Sequence, residues 1–214
     1  MSQRRLRPRR RPRQDRAERT RERILSAALR VFAEYGYAAG TTNRIAEWAN
    51  CSIGSLYQYY PNKDAILVEL ACRHLDAGVA AAKRRQEQGM PDSLAGILGA
   101  IVHTAIDNHR DNPEFLRVLI EQAPRSSELV DKMAEYERTQ IADMRQLLDD
   151  HDDVHVADTF IAARLVVTTV ELVVHELLAA PDPIDATAFE NELVTMLTLY
   201  LLAQPAGQRL GRWD

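Results

Sequence analysis

Apolar residues recur every three or four positions along most of the chain, a pattern typical of amphipathic helices. The first clear stretch places Ile24, Ala28 and Val31 on one face, and it predicts a helix over about residues 16–35. Gly36 follows at a position where helices commonly end in a left-handed conformation. No later segment shows a convincing strand pattern, so the sequence predicts an all-α fold.

Short polar or proline-containing segments divide the rest of the chain into eight more helices. The second helix begins at Thr41 or Thr42, and Asn50 suits the left-handed residue of a tight turn after it. Ser52 caps the third helix, and Pro61 prevents that helix from continuing. The third and later helices are predicted over about residues 52–59, 62–88, 92–110, 113–122, 127–150, 156–179 and 185–203.

Charge is distributed unevenly, although the net charge is only −4. Residues 1–23 contain eleven arginines and three acidic residues, a net charge of +8, whereas residues 24–214 carry −12. Residues 1–14 also contain two prolines and almost no apolar side chains, so we expect a disordered basic arm there. The asymmetry favours a polyanion bound at one end of the molecule. A solvated tail without a specific target is the alternative.

Composition argues against several classes of protein. The hydrophobic fraction of 46% is enough for a core, and no apolar run reaches the length of a membrane span. Cys51 and Cys72 are too few for a disulfide framework or a cysteine-rich zinc site. Phosphate loops, nucleophile elbows and zinc-hydrolase helix motifs are also absent from the sequence. We therefore expect a soluble cytoplasmic protein with no enzymatic activity, no cofactor, no metal and no membrane partner.

One pair of histidines has the spacing of metal ligands. His151 and His155 flank an acidic segment at i, i+4 positions. The pair coincides with a predicted helix break, which favours an acidic solvated loop over a metal site.

The segment ANCSIGSLYQYYPNKD, residues 49–64, crowds amide and hydroxyl groups onto a helix too short to bury them. Two short helices joined by a three- or four-residue turn form a helix-turn-helix unit, whose second helix lies in the DNA major groove. Lys63 begins the following helix, where the helix N-terminus and the ammonium group suit a phosphate. A helical hairpin with internally packed tyrosines is the alternative. The side chains expected to face DNA from the third helix are Ser52, Ile53, Gly54, Ser55, Tyr57, Gln58 and Tyr59.

The longer segment TRERILSAALRVFAEYGYAAGTTNRIAEWANCSIGSLYQYYPNKDAIL resembles the N-terminal domain of the TetR (tetracycline-repressor-like) transcriptional regulators. The resemblance covers about residues 20–67 without a gap. It includes the Phe-x-x-x-Gly end of the first helix, the Thr-Thr start of the second, and the pattern Ser-x-Gly-x-Leu-Tyr-x-Tyr-aromatic-x-x-Lys. Asn50 departs from the glycine that the family usually has. Ile53 offers no hydrogen bond, and we expect it to contact a thymine methyl instead.

The resemblance implies a role for each matching residue. Thr42, Tyr57, Tyr59 and Lys63 occupy phosphate-binding positions; Ile53, Gly54, Ser55 and Gln58 occupy base-facing positions; Thr41, Asn43 and Arg44 lie near the start of the second helix. It also implies a C-terminal helical bundle that dimerises through its last two helices and encloses a ligand pocket. The resulting division is a basic arm at 1–14, a helix-turn-helix domain at 15–62, and a ligand-binding and dimerisation domain at 63–214.

The eighth helix is nearly all apolar, yet it carries Thr168, Glu171 and His175 on one face. Buried polar groups need partners. They pair either with one another or across a dimer, or they line a pocket in which a few polar groups orient an apolar ligand. If they line a pocket, the other residues expected to line it are His103, Phe115, Leu119 and Met133.

The last helix has a broad apolar face that also carries Ile184. Two such helices from each subunit would bury themselves as a four-helix bundle. The residues that we expect at this dimer interface are Phe189, Leu193, Met196, Leu197 and Tyr200.

The sequence therefore predicts a homodimeric repressor that binds a palindromic double-stranded DNA operator and is released by a small apolar or amphipathic ligand. Architectural or ligand-independent DNA binding is one alternative, and a helical-bundle enzyme is a more distant one. The operator and the ligand have no sequence signature.

Overall fold

The computed structural model describes residues 12–110, 113–180 and 184–203, with side chains from residue 14 onward. These residues form nine helices, and no strand occurs among them. The helices are α1 (Pro12–Ala39), α2 (Thr42–Trp48), α3 (Ile53–Tyr57), α4 (Lys63–Gln88), α5 (Leu94–Arg110), α6 (Pro113–Gln122), α7 (Ser127–Asp150), α8 (Thr159–Leu178) and α9 (Ala186–Leu202). The predicted all-α fold is confirmed.

The residues predicted to lie at helix boundaries adopt the backbone geometry that their amino-acid types favour. Gly36 has φ 69°, which kinks α1, and Asn50 has φ 50° in the turn between α2 and α3. Side-chain oxygens cap the N-termini of six helices by accepting backbone N–H groups. These capping residues are Thr41, Ser52, Asn62, Ser126, Asp158 and Asp185.

Several helix boundaries differ from the predicted ones, and three of them bear on the site or on the basic arm. Helix α1 begins at Pro12, so the last three residues of the expected basic arm are helical, whereas residues 1–11 lie outside the described part. Helix α3 ends at Tyr57, because the next peptide N–H groups turn back to the carbonyls of Ser55 and Leu56. Helix α8 begins three residues later than expected, because Asp158 caps it by accepting the N–H groups of Phe160 and Ile161.

Two hydrophobic cores form along the chain. The first joins α1, α2, α3, the first two turns of α4, and α6, around Phe32, Ile45 and Leu56. The second joins α5, α7, α8 and α9, around Leu98, Val166 and Leu201. The first core extends beyond residue 62 and includes Phe115 and Leu119 of α6, so α4 and α6 connect the two parts of the protein.

A polar network fixes α1 against α4 beside the first core. The carboxylate of Glu69 accepts hydrogen bonds from Arg21 Nη2 at 2.6 Å, from the Tyr60 hydroxyl at 2.9 Å and from Arg73 Nε at 3.1 Å. Arg73 also makes a bidentate pair with Glu22 of α1, at 2.7 and 2.8 Å. Burial is the main reason that the pKa of Tyr60 rises to about 12, so its hydroxyl stays a donor at neutral pH. The network holds the segment after α3 in place.

None of the nine described helices combines the length and the apolar character that a membrane crossing requires.

Candidate DNA-binding surface and ligand cavity

Two buried side chains fix the orientation of α3, one leucine within the helix and one tyrosine in the turn that follows it. Leu56 and Tyr60 are both buried in the first core. The opposite face of α3 is consequently exposed: Ile53 retains 38% and Tyr57 retains 52% of its accessible surface. Gln58, the C-cap of α3, is exposed as well. The structure thus brings the predicted base-facing residues together on one outward surface.

Small residues at the start of α3 leave its backbone accessible. The Ser52 hydroxyl accepts the Ser55 N–H at 3.0 Å, so the serine predicted to face DNA also caps the helix. A Cβ atom built at Gly54 would meet no atom closer than the Ser52 hydroxyl oxygen at 4.0 Å. The protein itself therefore gives no packing reason for a glycine here, whereas close approach of another molecule does.

Helix α2 contributes a second set of polar groups beside α3. The Thr42 hydroxyl and the Tyr57 hydroxyl lie 3.3 Å apart, which joins two of the four predicted phosphate-binding side chains. Asn43 is exposed. Arg44 stacks its guanidinium 4.3 Å above the Tyr35 ring and donates to the Ala39 carbonyl at 2.9 Å, so α1 holds it in position. The remaining predicted group, the hydroxyl of the N-cap Thr41, accepts the Arg44 N–H at 3.3 Å.

Lys63 is already engaged by the protein. Its Nζ donates to the Tyr37 carbonyl at 2.7 Å and lies 4.1 Å above the Tyr37 ring. The Tyr37 hydroxyl in turn donates to the Asp64 carboxylate. Burial and that carboxylate raise the pKa of Tyr37. Lys63 therefore ties the N-terminus of α4 to the end of α1, and a phosphate contact has to share its ammonium group. The neighbouring Tyr59 is partly buried against the first core, and so offers only part of its ring to DNA.

A cavity of about 1020 Å³ lies between α4, α5, α7 and α8. Of the seven residues predicted to line a ligand pocket, Glu171 alone lines this cavity. Phe115 and Leu119 line a smaller cavity of about 320 Å³ between α1, α4, α5 and α6. The two cavities share Asn108 and His109 as wall residues.

The other four predicted pocket residues line neither of these two cavities. His103 is exposed and pairs with Asp107 and Glu190 at 3.2 and 3.1 Å. Met133 and Thr168 are exposed because they lie on the outward faces of α7 and α8. His175 is partly buried, with its Nε2 2.7 Å from Nε2 of His109. His175 Nε2 also lies 3.7 Å from Glu171 Oε2, which agrees with the alternative in which the polar groups of α8 pair with one another.

One guanidinium nitrogen in the cavity wall has no hydrogen-bond partner among the described residues. Arg85 of α4 lines the cavity, and its Nε is fully buried with no hydrogen-bond acceptor among the described residues. Burial lowers the pKa of Arg85. Across the cavity, the Tyr136 hydroxyl donates to Glu171 Oε1 at 3.2 Å, and burial raises the pKa of both groups.

The sequence did not single out Arg85 or Tyr136. Arg85 stands among Lys83, Arg84 and Glu87 in a helix segment that looks like a solvated face. Only the packing of α7 against α4 shows which of these side chains turns inward. An arginine that continues a stripe of small residues would have been the available signal, since Gly78, Ala81 and Ala82 precede it by seven, four and three residues.

Two family models match the chain, one in each part of the fold. Residues 24–70 match the model described as "Bacterial regulatory proteins, tetR family", and residues 93–201 match "Tetracyclin repressor-like, C-terminal domain". The chain belongs to the TetR family. The resemblance inferred from the sequence is confirmed, and it extends to the C-terminal domain, for which the sequence showed no motif.

Curated relatives of this TetR-family chain are transcriptional regulators. It is 29% identical over 128 residues to the HTH-type transcriptional regulator RutR of Escherichia coli O157:H7, which covers 59% of this chain and 56% of that protein. It is 30% identical over 105 residues to the HTH-type transcriptional repressor NicS of Pseudomonas putida, 48% of each chain. The matches span about half the length of these two relatives.

A solved structure shows the same fold over most of the chain. The tetR-family regulatory protein from Rhodococcus RHA1 superposes with a TM-score of 0.67 at 24% identity, covering 87% of this chain and 98% of that one.

The dimer residues predicted on α9 of this TetR-family chain divide into two sets. Leu193 and Leu197 are each only 4% exposed and pack in the second core, and Phe189 is partly buried against it, so these three are not at an outer surface. Met196 and Tyr200 remain exposed, and Leu199 is exposed at 65%. Helix α8 exposes further apolar side chains, namely Phe160, Ile161, Leu165 and Leu172. The outward apolar surface therefore spans both of the last two helices.

Proposed function

We propose that this TetR-family protein is a sequence-specific repressor that binds a palindromic operator as a homodimer and leaves it when a small acidic ligand binds. The observation that carries DNA recognition is the outward face of α3, where Gly54, Tyr57 and Gln58 are exposed while Leu56 and Tyr60 fix the helix from behind. A polar face with an accessible backbone suits the edges of bases in the major groove. Such a regulator works in the cytoplasm, where bacterial DNA lies.

The apolar surface formed by α8 and α9 supports a dimer. Exposed side chains such as Ile161, Leu165 and Leu199 form a surface that a second copy of the chain would cover. Pairing of two helices from each subunit forms a four-helix bundle. A two-fold dimer presents two copies of α3 about 34–36 Å apart, which is one turn of DNA.

The chemistry of the cavity supports an acidic ligand with an apolar body. Leu75, Val79, Ile101 and Val166 provide apolar wall, and Arg85 provides a guanidinium whose buried Nε has no acceptor among the described residues. A buried donor without a partner is costly, and a carboxylate or phosphate would satisfy it with a charge-assisted hydrogen bond. This proposal narrows the apolar or amphipathic ligand expected from the sequence to one that carries an anionic group.

Helix α4 supplies a route from the ligand to DNA. Arg85 near its C-terminus lines the cavity, and Lys63 at its N-terminus contacts the end of α1. The two residues are 22 positions apart, which corresponds to roughly 33 Å of helix. A ligand can release DNA only if it binds more tightly to the conformer in which the recognition helices are displaced. A shift of α4 is the displacement that this geometry supports.

Selection from random duplex DNA with the full-length protein tests the DNA half of the proposal. We expect a palindromic consensus with half-sites one helical turn apart and a discrete footprint. Diffuse protection without a consensus would instead support the architectural alternative.

Substitution of Arg85 tests the ligand half. Operator release is measured with a panel of carboxylic acids of increasing chain length, with the corresponding amides as neutral analogues. We expect some acids to release the operator and their amides to fail. Arg85→Gln should keep operator affinity and lose the response, whereas Arg84→Gln, on the exposed side of α4, should keep both. An unchanged response in Arg85→Gln would contradict an anionic ligand at this site.

A further inference from the structure

Three histidines from three helices meet beside the large cavity. His74 of α4, His109 of α5 and His175 of α8 each offer a ring nitrogen, and these three nitrogens all lie within 4.8 Å of one another. Nε2 of His109 and Nε2 of His175 are 2.7 Å apart. The ring centroids of His74 and His109 are 4.8 Å apart, and those of His109 and His175 are 4.4 Å apart. The imidazoles thus converge on one point between the helices.

The tautomer of His109 is set by the backbone. Its Nδ1 lies against the carbonyl oxygen of Ala105, one turn earlier in α5, and an acceptor there requires a proton on Nδ1. The lone pair of the neutral ring is then on Nε2, which points at His175. Histidines that bind metals commonly donate their other ring N–H to a carbonyl or carboxylate in this way, because the bond fixes the orientation of the ring.

Burial disfavours the charged form of all three rings, since it lowers their pKa values. Burial, followed by the neighbouring imidazoles, lowers the pKa of His175 to about 3 and that of His74 to about 4, and burial also lowers the pKa of His109. Only a neutral imidazole has a lone pair for a metal ion. Without an ion, at least one ring nitrogen of such a cluster has to donate to another, as the short contact between His109 and His175 requires.

We propose that His74, His109 and His175 form a binding site for a divalent transition-metal ion with the preferences of Zn²⁺. Imidazole nitrogen is a ligand for Zn²⁺ and its neighbours in the first transition row, whereas Mg²⁺ and Ca²⁺ require oxygen ligands. Zn–N bonds of about 2.0–2.1 Å in a tetrahedral site place ligand nitrogens about 3.3 Å apart. The observed separations between ring nitrogens lie on both sides of that value. Side-chain rotations that shift these nitrogens by about 1 Å would therefore complete the site.

The fourth coordination position has a protein candidate. Glu171 Oε2 lies 3.7 Å from Nε2 of His175, and the same carboxylate lines the large cavity. Three histidines with a carboxylate or a water complete a tetrahedral shell. An ion here would join α4, α5 and α8 at the wall shared by the two cavities. This site is separate from Arg85, and its existence does not depend on the proposed operator or ligand.

Metal binding by the full-length, tag-free protein tests the proposal directly. After treatment with a chelator, the protein is titrated with Zn²⁺ in competition with a chromogenic chelator, and with Co²⁺ as a spectroscopic probe. We expect one ion per chain, with the intense visible absorption of tetrahedral Co²⁺. His74→Gln, His109→Gln and His175→Gln should each lower Zn²⁺ affinity by at least about 100-fold, since loss of a mere outer-shell partner already costs roughly 10–100-fold.

Matched variants separate this site from other donors. His103→Gln removes an exposed histidine of α5, and Cys51→Ser and Cys72→Ser remove the two thiols; all three should bind Zn²⁺ as tightly as the unaltered protein. X-ray absorption of the Zn²⁺-loaded unaltered protein should show imidazole ligation without sulfur, which tests the site even if a histidine variant fails to fold. The proposal is overturned by lack of stoichiometric binding, by a sulfur-containing shell, or by folded histidine variants that keep full affinity.

Discussion

Gly54 lies in the first turn of α3 with open space where a side chain would stand. Alanine is favoured over glycine in helices, so Gly54→Ala should stabilise the fold by up to about 1 kcal/mol, as measured by urea unfolding. If the backbone at this position approaches DNA closely, the same methyl group should weaken operator binding. Stability and DNA affinity are expected to change in opposite directions, an outcome that a packing role for Gly54 would not produce.

Gly40 provides the contrasting control. A Cβ atom there would lie 2.6 Å from the Phe32 ring and 2.9 Å from the Gly36 carbonyl oxygen. Gly40→Ala should therefore lower the free energy of unfolding by about 1–3 kcal/mol, the usual cost of overpacking a core. If Gly54→Ala instead binds the operator as tightly as the original protein, close approach of DNA at that residue is wrong.

Gln58 is exposed at the end of α3 and carries an amide that can donate to and accept from one adenine. Gln58→Ala should cost roughly 1–3 kcal/mol of operator affinity and relax the preference at one base pair in each half-site. Tyr57→Phe removes a hydroxyl that faces Thr42 and should weaken all sequences alike. The measurement is a binding-site selection with each variant. A consensus that Gln58→Ala leaves unchanged would assign base recognition to other side chains.

At the scale of helices, the carboxylate of Glu69 on α4 links α1 to α4 through hydrogen bonds. Its carboxylate accepts from Arg21, Tyr60 and Arg73 and is 17% exposed. Glu69→Gln keeps the shape and removes the charge, so we expect a loss of about 1.5–3 kcal/mol in the free energy of unfolding, the range for hydrogen bonds to charged groups. Urea denaturation checks this value. Glu87→Gln, which breaks an exposed pair with Lys83, should stay within about 0.5 kcal/mol; equal effects of the two variants would contradict a structural role for Glu69.

The segment before α1 tests the role predicted for the basic arm. Residues 1–11, which lie outside the described part, contain six arginines, and α1 begins at Pro12. Removing these eleven residues should leave the preferred operator unchanged and flatten the salt dependence of binding. The slope of log affinity against log salt concentration falls by about 0.9 for each phosphate contact that is lost. An identical slope for the shortened protein would leave the arm without a DNA contact.

How much of this architecture the sequence could predict depends on the distance over which each signal acts. Ser52 and Asn50 act on neighbours within four residues, so the cap and the turn were predictable from local sequence. Helix α9 is apolar on several faces, and its pattern does not reveal that Leu197 packs inward while Leu199 faces outward. Contacts between helices far apart in sequence, such as that of His109 with His175, depend on the packing of the whole bundle. Cavity and cluster residues therefore required the structure.

Assembly is tested by substituting an apolar side chain that the single subunit leaves exposed. Leu199 is 65% exposed on α9, so a charge there should leave the subunit folded and oppose burial against a second subunit. We expect Leu199→Glu to be monomeric by analytical ultracentrifugation, to unfold at a similar urea concentration once dimer dissociation is accounted for, and to lose operator affinity, since one subunit holds only one half-site.

Leu197→Glu serves as the contrasting variant for the same helix. Leu197 is buried in the second core, so a charge there should unfold the C-terminal domain rather than produce a folded monomer. Two further substitutions on α8, Leu165→Glu and Ile161→Glu, should repeat the behaviour of Leu199→Glu, because both side chains are exposed in the subunit. A Leu199→Glu protein that remains dimeric, together with dimeric α8 variants, would place the interface on a different surface and remove the basis for two recognition helices one DNA turn apart.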